Sequence, residues 1–195
     1  MNDNLFQTLP TDAVLQKTMI RYIKEHSAGK NVIIISDSKR AAQREMVQTA
    51  IPSAKTVSPR GGGYIQASDI TAVASQGMEN WVILESQNPV LVSSAVNVLS
   101  AMPNNYKIRL FTLQKNDAYE WHEVSSMRLA KLNFTFPSVN KNIDEEDRNP
   151  FLISYKNKYG VLPNRYAIRG FDVTYDVLLR LAAEKDIYDA IMPES

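Results

Sequence analysis

The chain has 195 residues, enough to bury roughly 70% of its unfolded surface in a core that needs no staples. Its 22 basic and 21 acidic residues leave a net charge of +1, so no global field draws nucleic acid or an anionic membrane, and neither is an expected partner. The lack of cysteine excludes disulfides, zinc–thiolate sites and thiol catalysis, and no apolar run approaches the roughly 20 residues that insert across a bilayer.

Thr11 and Asp12 head a predicted helix to about His26, with Val14, Leu15, Met19, Tyr22 and Ile23 as its apolar stripe. Gly29 stops it. Residues 32–35 are a continuous β-branched run, which reads as a strand buried on both faces of a parallel sheet. Ser36, Asp37 and Ser38 form a polar tip leading into a helix through Ala41, Met46 and Ala50. A short second strand over 54–57 is followed by Gly61, Gly62 and Gly63. These could cradle a phosphate, but the Gly-Lys-Ser/Thr ending is missing and no clear helix opens from them, so a surface loop is the better reading.

A helix is predicted from 67 to about 78, and a third strand over 81–84 ends in Glu85, Ser86 and Gln87. Asn88 and Pro89 start the next helix, with Val90, Val92, Ala95 and Leu99 inward. A fourth strand spans 107–113, a short helix falls within 114–128, and a fifth strand over 132–136 alternates Leu132, Phe134 and Phe136. Residues 140–148 read as an exposed charged linker. The expected fold class is α/β, a doubly wound, mainly parallel five-stranded sheet with helices on both faces plus two C-terminal helices. Residues 1–136 form a Rossmann-like lobe, and 137–195 hold the linker and the last two helices.

Those helices carry the most specific stretch. Asn149 and Pro150 start one, Gly160 ends it, and Phe151, Tyr155 and Tyr159 make one face aromatic. After a turn at Pro163, Phe171, Tyr175, Leu178, Leu179 and Ala182 define a second apolar face, expected to be buried. The run Phe151, Tyr155, Tyr159-Gly160, Pro163, Tyr166-Ala167, Gly170-Phe171-Asp172 resembles the late segment of type I periplasmic solute-binding proteins of the branched-chain amino-acid-binding group, with Phe171 where the family has tyrosine.

The resemblance implies a C-terminal lobe over about 5–136 and, beyond it, a crossover and two helices of an incomplete N-terminal lobe. It implies that the chain is a fragment exported to a periplasm or cell envelope, with its export signal upstream of Met1. Some relatives are joined to peptidoglycan-binding modules instead of working with a transporter. Helices deprived of their lobe would self-associate through Phe151, Tyr155, Tyr159, Phe171 and Tyr175.

In such proteins, as in open α/β sheets generally, the ligand sits at the carboxyl ends of the strands. The tips here offer Ser36, Asp37 and Ser38; Glu85, Ser86, Gln87 and Asn88; Gln114 and Asn116. The same residue types also cap helices. The family's amino-acid binders place a carboxylate after the fourth strand, where Gln114 stands, and a buried ammonium wants a full countercharge. The expectation is therefore a polar small molecule that is not a standard amino acid, or a vestigial cleft on an envelope scaffold. No catalytic residue, metal or cofactor is expected. Neither His26 nor His122 sits at a strand tip, His122 with Glu120 and Glu123 matches no metal motif, and Asp37 with Lys115 is a poor phosphotransfer set. Lys39, Arg40 and Arg44 read as a solvated helix face beside Glu45.

Overall fold

The computed structural model describes residues 9–140 and 149–183. The chain divides into two compact units, one spanning Pro10–Ser138 and the other containing the last two helices. In the first unit four strands, β1 (Asn31–Ser36), β2 (Lys55–Val57), β3 (Asn80–Glu85) and β4 (Ile108–Phe111), form an all-parallel sheet in the order β2-β1-β3-β4. All six residues of β1 and of β3 are buried, as a β-branched run covered on both faces requires.

Helices cover both faces. On one, Ile33, Ile35, Val82, Leu84 and Leu110 pack with the inward residues of α3 (Ala67–Thr71) and α4 (Pro89–Ala101) and with partly buried Leu129 of α5 (Ser126–Lys131). On the other, Val32, Ile34, Trp81, Ile83 and Phe111 meet Met19, Ile20 and Ile23 of α1 (Asp12–His26) and Val47 of α2 (Ala41–Ala50). Trp81 anchors that side, with its ring 4.6 Å from Phe111 and the Lys30 ammonium 4.8 Å from its centroid.

The strand order places a switch point. β1 connects to β2 on one side of it, whereas β3 lies on the other side and connects onward to β4. The connections leaving β1 and β3 thus diverge, which opens a crevice outside their carboxyl ends.

Several expectations change. α3 stops at Thr71 instead of near 78, because Asn80 takes over the next turn: its Oδ1 accepts the Ser75 amide and its Nδ2 donates to the Ser75 carbonyl, both at 2.8 Å. Val90 is 52% exposed, since the cap at Asn88 turns Leu91, Val92, Ala95, Val96 and Leu99 inward instead. β4 is shorter than expected at both ends, since Lys107 is left-handed, with φ 44°, and Thr112 turns its hydroxyl to Glu85. The 114–128 region holds a 3₁₀ turn, Asp117–Glu120, and α5 starts only at Ser126. The expected fifth strand contributes a single parallel bridge, Phe111 to Thr135. Asn133, at φ 48°, breaks the extended run, and Phe134 donates its amide back to Leu129 of α5.

In the second unit, α6 (Pro150–Tyr159) begins where Asn149 accepts the Phe151 amide at 2.9 Å and ends at left-handed Gly160, φ 75°. α7 (Arg165–Ala183) starts earlier than the apolar stripe indicates, because Asn164 caps it through the Tyr166 and Ala167 amides. Phe151 stacks on Phe171 at 4.0 Å between centroids. The face that apolar spacing marks for burial is uncovered, as expected of helices deprived of their lobe: α7 has no buried residue, and Tyr175, Leu178 and Leu179 are all more than half exposed. Among the described residues no helix is long and apolar enough to cross a membrane. All of the charged linker beyond Asn140 lies outside the described residues.

Candidate functional site

The crevice at the switch point holds a cavity of about 360 Å³ lined by Asp37, Ser38, Lys39, Gln87 and Asn88. β1 delivers the first three and β3 the last two, and the parallel register that puts Ser36 opposite Glu85 brings the two tips side by side. A short hydrogen-bonded chain ties them. Ser86 Oγ donates to Asp37 Oδ2 at 2.5 Å and accepts the Asn88 amide at 2.9 Å, while Asp37 Oδ1 accepts the Lys39 amide at 2.9 Å. Asn88 in turn caps α4 by accepting the Val90 amide at 3.0 Å. The β4 loop joins through Asn116, which donates to the Ser86 carbonyl at 3.0 Å.

Asp37, Ser86, Asn88 and Asn116 therefore serve as caps and ties. The side chains of Ser38, Lys39 and Gln87 carry no hydrogen bond or ion pair with the described residues, which leaves a hydroxyl, an ammonium and a carboxamide facing the cavity. Gln114 lies apart from this group. Its Nε2 donates to Asp12 at 2.8 Å and its Oε1 accepts from Gln16 at 3.2 Å, so it pins the start of α1.

Below the tips the carboxyl end of the sheet buries several polar groups. Gln16, Ser36, Glu85, Ser86 and Thr112 are all buried there, and the Ser36 hydroxyl has no partner. Glu85 is 2% exposed, and its Oε1 accepts from Thr112 Oγ1 at 2.9 Å and from the Leu113 amide at 2.6 Å. Burial pushes its carboxyl up to about 7, against the pull of those two bonds and of Arg40, and Asp37 adds to the rise. Tyr119, buried, donates to the Leu84 carbonyl at 2.6 Å, and burial holds its phenol well above the usual range.

The glycine loop reaches the same place. Gly62 and Gly63 are left-handed, and a Cβ on Gly63 would lie 2.8 Å from Asn88 Nδ2. Arg60 and Asp69 pin the base of the loop with paired bonds of 3.0 and 2.6 Å, which hold the Asp69 carboxyl down at about 2. The loop is thus a wall beside Asn88, the residue that caps α4.

Sequence reasoning missed Gln16, Thr112 and Tyr119, and it read Lys39, which lines the cavity, as part of a solvated helix face. Gln16 had a signal, since its spacing from Met19, Ile20 and Ile23 puts a polar residue in an apolar stripe. The remaining chemical candidates stay apart from the crevice. His26 Nδ1 bonds the Tyr22 carbonyl at 2.8 Å, His122 is exposed beside Trp121, and Lys115 pairs with Glu120 at 2.9 Å. No family model matches the sequence, and no curated protein or solved structure matches it either.

Proposed function

We propose that the unit spanning Pro10–Ser138 is the ligand-binding lobe of an extracytoplasmic, non-catalytic binding or sensing module of the type I periplasmic solute-binding kind. The cavity at the switch point carries this reading, because that is where open parallel sheets bind small molecules. The sequence resemblance supplies the family and the expected location in a bacterial cell envelope. In this reading the sheet is doubly wound, and the parallel bridge to Thr135 marks the place of its fifth strand.

The ligand is a small polar molecule other than a standard amino acid. Ser38 and Gln87 offer neutral hydrogen bonds, and Lys39 and Asp37 offset each other's charge across the lining. A thermal-shift screen of the natural full-length protein against sugars, cell-wall fragments, peptides and amino acids should give a rise with one neutral polar class. Gln87→Ala removes an exposed side chain without a structural bond, so the variant should fold normally and bind that compound about 3- to 10-fold more weakly. No shift with any class, or an affinity unchanged by the substitution, sinks the proposal.

A second reading, an envelope scaffold with a vestigial cleft, is favoured by the exposed stripe of α7. Phe171, Tyr175, Leu178 and Leu179 are 39–59% exposed along one helix, and unpartnered apolar stripes of this kind mark contacts. The aromatic ladder Phe151, Tyr155 and Tyr159, with rings 4.5–5.8 Å apart, continues this set on α6. Static light scattering should then show self-association that rises with concentration and is abolished by Tyr175→Glu with Leu178→Glu. A strict monomer at every concentration removes this reading.

A further inference from the structure

The end of β3 and the head of α2 bring an acid and a base to the same end of the sheet. Side chains alternate along a strand, so the register partners Ser36 and Glu85 fall on the face that holds Val32, Ile34, Trp81 and Ile83. α1 and α2 cover that face, and Arg40 is the N-cap residue of α2. Glu85 accepts both of its hydrogen bonds at Oε1, from Thr112 and from the Leu113 amide, and its Oε2 has none with a described residue. The buried Ser36 hydroxyl beside it also lacks a partner. Arg40 is half-buried, and its guanidinium makes no ion pair or hydrogen bond with a described residue. It still lies close enough for its charge to favour the ionised form of Glu85, while Asp37 on the β1 tip opposes that form. Tyr119, on the other face, keeps its phenol proton, and α1 brings neutral Gln16 and an Asp12 held by Gln114.

We propose that Arg40 and Glu85 form a pH-dependent clamp across the crevice, in which loss of the Glu85 proton to solvent draws the Arg40 guanidinium onto Oε2. Arg40 ends the 3₁₀ turn Ser38–Arg40, which carries Ser38 and Lys39 on one wall of the cavity, and Glu85 stands two residues before Gln87 on the other. The pair would tie the two walls at their base. A planar, permanently charged guanidinium can meet the open oxygen without displacing Thr112 or the Leu113 amide. A carboxyl only 2% exposed resists ionising, and one half-buried cation offsets part of that cost. The midpoint of the switch therefore stays raised, at about 7. Below it Glu85 is protonated and the clamp is open; above it the clamp is closed. Its meaning for a ligand rests on the binding reading proposed above, whereas the clamp itself belongs to the ligand-free chain.

An NMR titration of the full chain without ligand, from about pH 5 to 9, tests it. The Glu85 carboxyl carbon and the amides of Ser38, Lys39, Ser86 and Gln87 should share one midpoint near neutrality. Contacts between the Arg40 side chain and the Thr112 methyl group should appear above it. Glu85→Gln should abolish all of these changes. Arg40→Gln should move the carboxyl midpoint up by about one pH unit and uncouple the Ser38 and Lys39 amides from it, and Arg40→Lys, which keeps the charge, should restore most of that midpoint. Arg40 makes no side-chain cap bond to α2, so its variants should fold as the wild type does.

A carboxyl midpoint at the ordinary glutamate value overturns the proposal, as do turn amides that stay still while the carboxyl titrates. Amides that move unchanged in Glu85→Gln overturn it in favour of another acid, and a midpoint indifferent to Arg40→Gln removes the base from the clamp. The two readings fail separately. A ligand screen without a hit sinks the binding lobe and leaves the titration as it is, while a failed titration leaves any ligand bound without control by Glu85.

Discussion

Exchanging Glu85 for glutamine is expected to raise the unfolding free energy by about 2–3 kcal/mol at about pH 8, and to remove most of the loss of stability between mildly acid and neutral pH. In the unfolded chain this carboxyl ionises near 4.5, whereas burial holds it near 7 in the fold. Between those values the folded state keeps a proton that the unfolded state has released, so stability falls as pH rises through this window and levels off above it. Each unit of separation is worth about 1.4 kcal/mol. A glutamine keeps an Oε1 acceptor for Thr112 and the Leu113 amide, and it resembles the protonated acid in carrying no charge. Urea denaturation of both proteins at several pH values between about 5 and 8 measures the difference. A variant that is less stable than the wild type at the alkaline end would show that the ionised carboxylate is compensated after all.

Asn80 is expected to be the costliest single polar residue to lose. It is fully buried and serves four neighbours: its Oδ1 accepts from Asn31 Nδ2 and from the Ser75 amide, and its Nδ2 donates to the carbonyls of Ser75, Met78 and Tyr106. Alanine would strand several of these groups in the interior at about 1–3 kcal/mol each before relaxation, so Asn80→Ala should cost on the order of 3–5 kcal/mol. The turn after α3 and the start of β4 depend on these bonds, and they should loosen first. Hydrogen exchange should therefore show lost protection at the Ser75 amide at a substitution cost that leaves β1 protected. A loss under about 1 kcal/mol would mean that water substitutes for the side chain, and that the residue matters less than its bonds imply.

Much of the scaffold can be read along the chain because its causes are local. The run from Val32 to Ile35 has no polar side and so needs cover on both faces, and both core clusters draw on it. Asn88 with Pro89 and Asn149 with Pro150 start helices within a residue of where they stand, since a capping side chain and a proline act on neighbouring amides. The expected ends at 78 and 113 were misplaced because side chains, and not apolar spacing, decided them: Asn80 captures the chain after α3 from five residues away, and Thr112 is drawn to Glu85 of the neighbouring strand.

The candidate site divides in the same way. Position at a strand tip singled out Asp37, Ser86 and Asn88, but only the parallel register shows that they bond one another while Ser38, Lys39 and Gln87 face the cavity. Gln114 was grouped with them by its place after β4, yet it belongs to α1 through Asp12 and Gln16. Glu85 reads as one more polar tip residue in the sequence, and its titration near neutral pH follows from the side chains folded over it.

The sequence by itself determined the α/β class, the two-sided burial of β1 and β3, most helix starts and the left-handed stop at Gly160. Those features follow from side-chain periodicity and from hydrogen bonds that reach only a few residues. The tertiary structure alone decided the strand order, the switch point between β1 and β3, the partners of Asn80 and Glu85 and the exposure of α7. Each of these depends on groups far apart in the chain, and no local pattern encodes which of them meet or which stay uncovered.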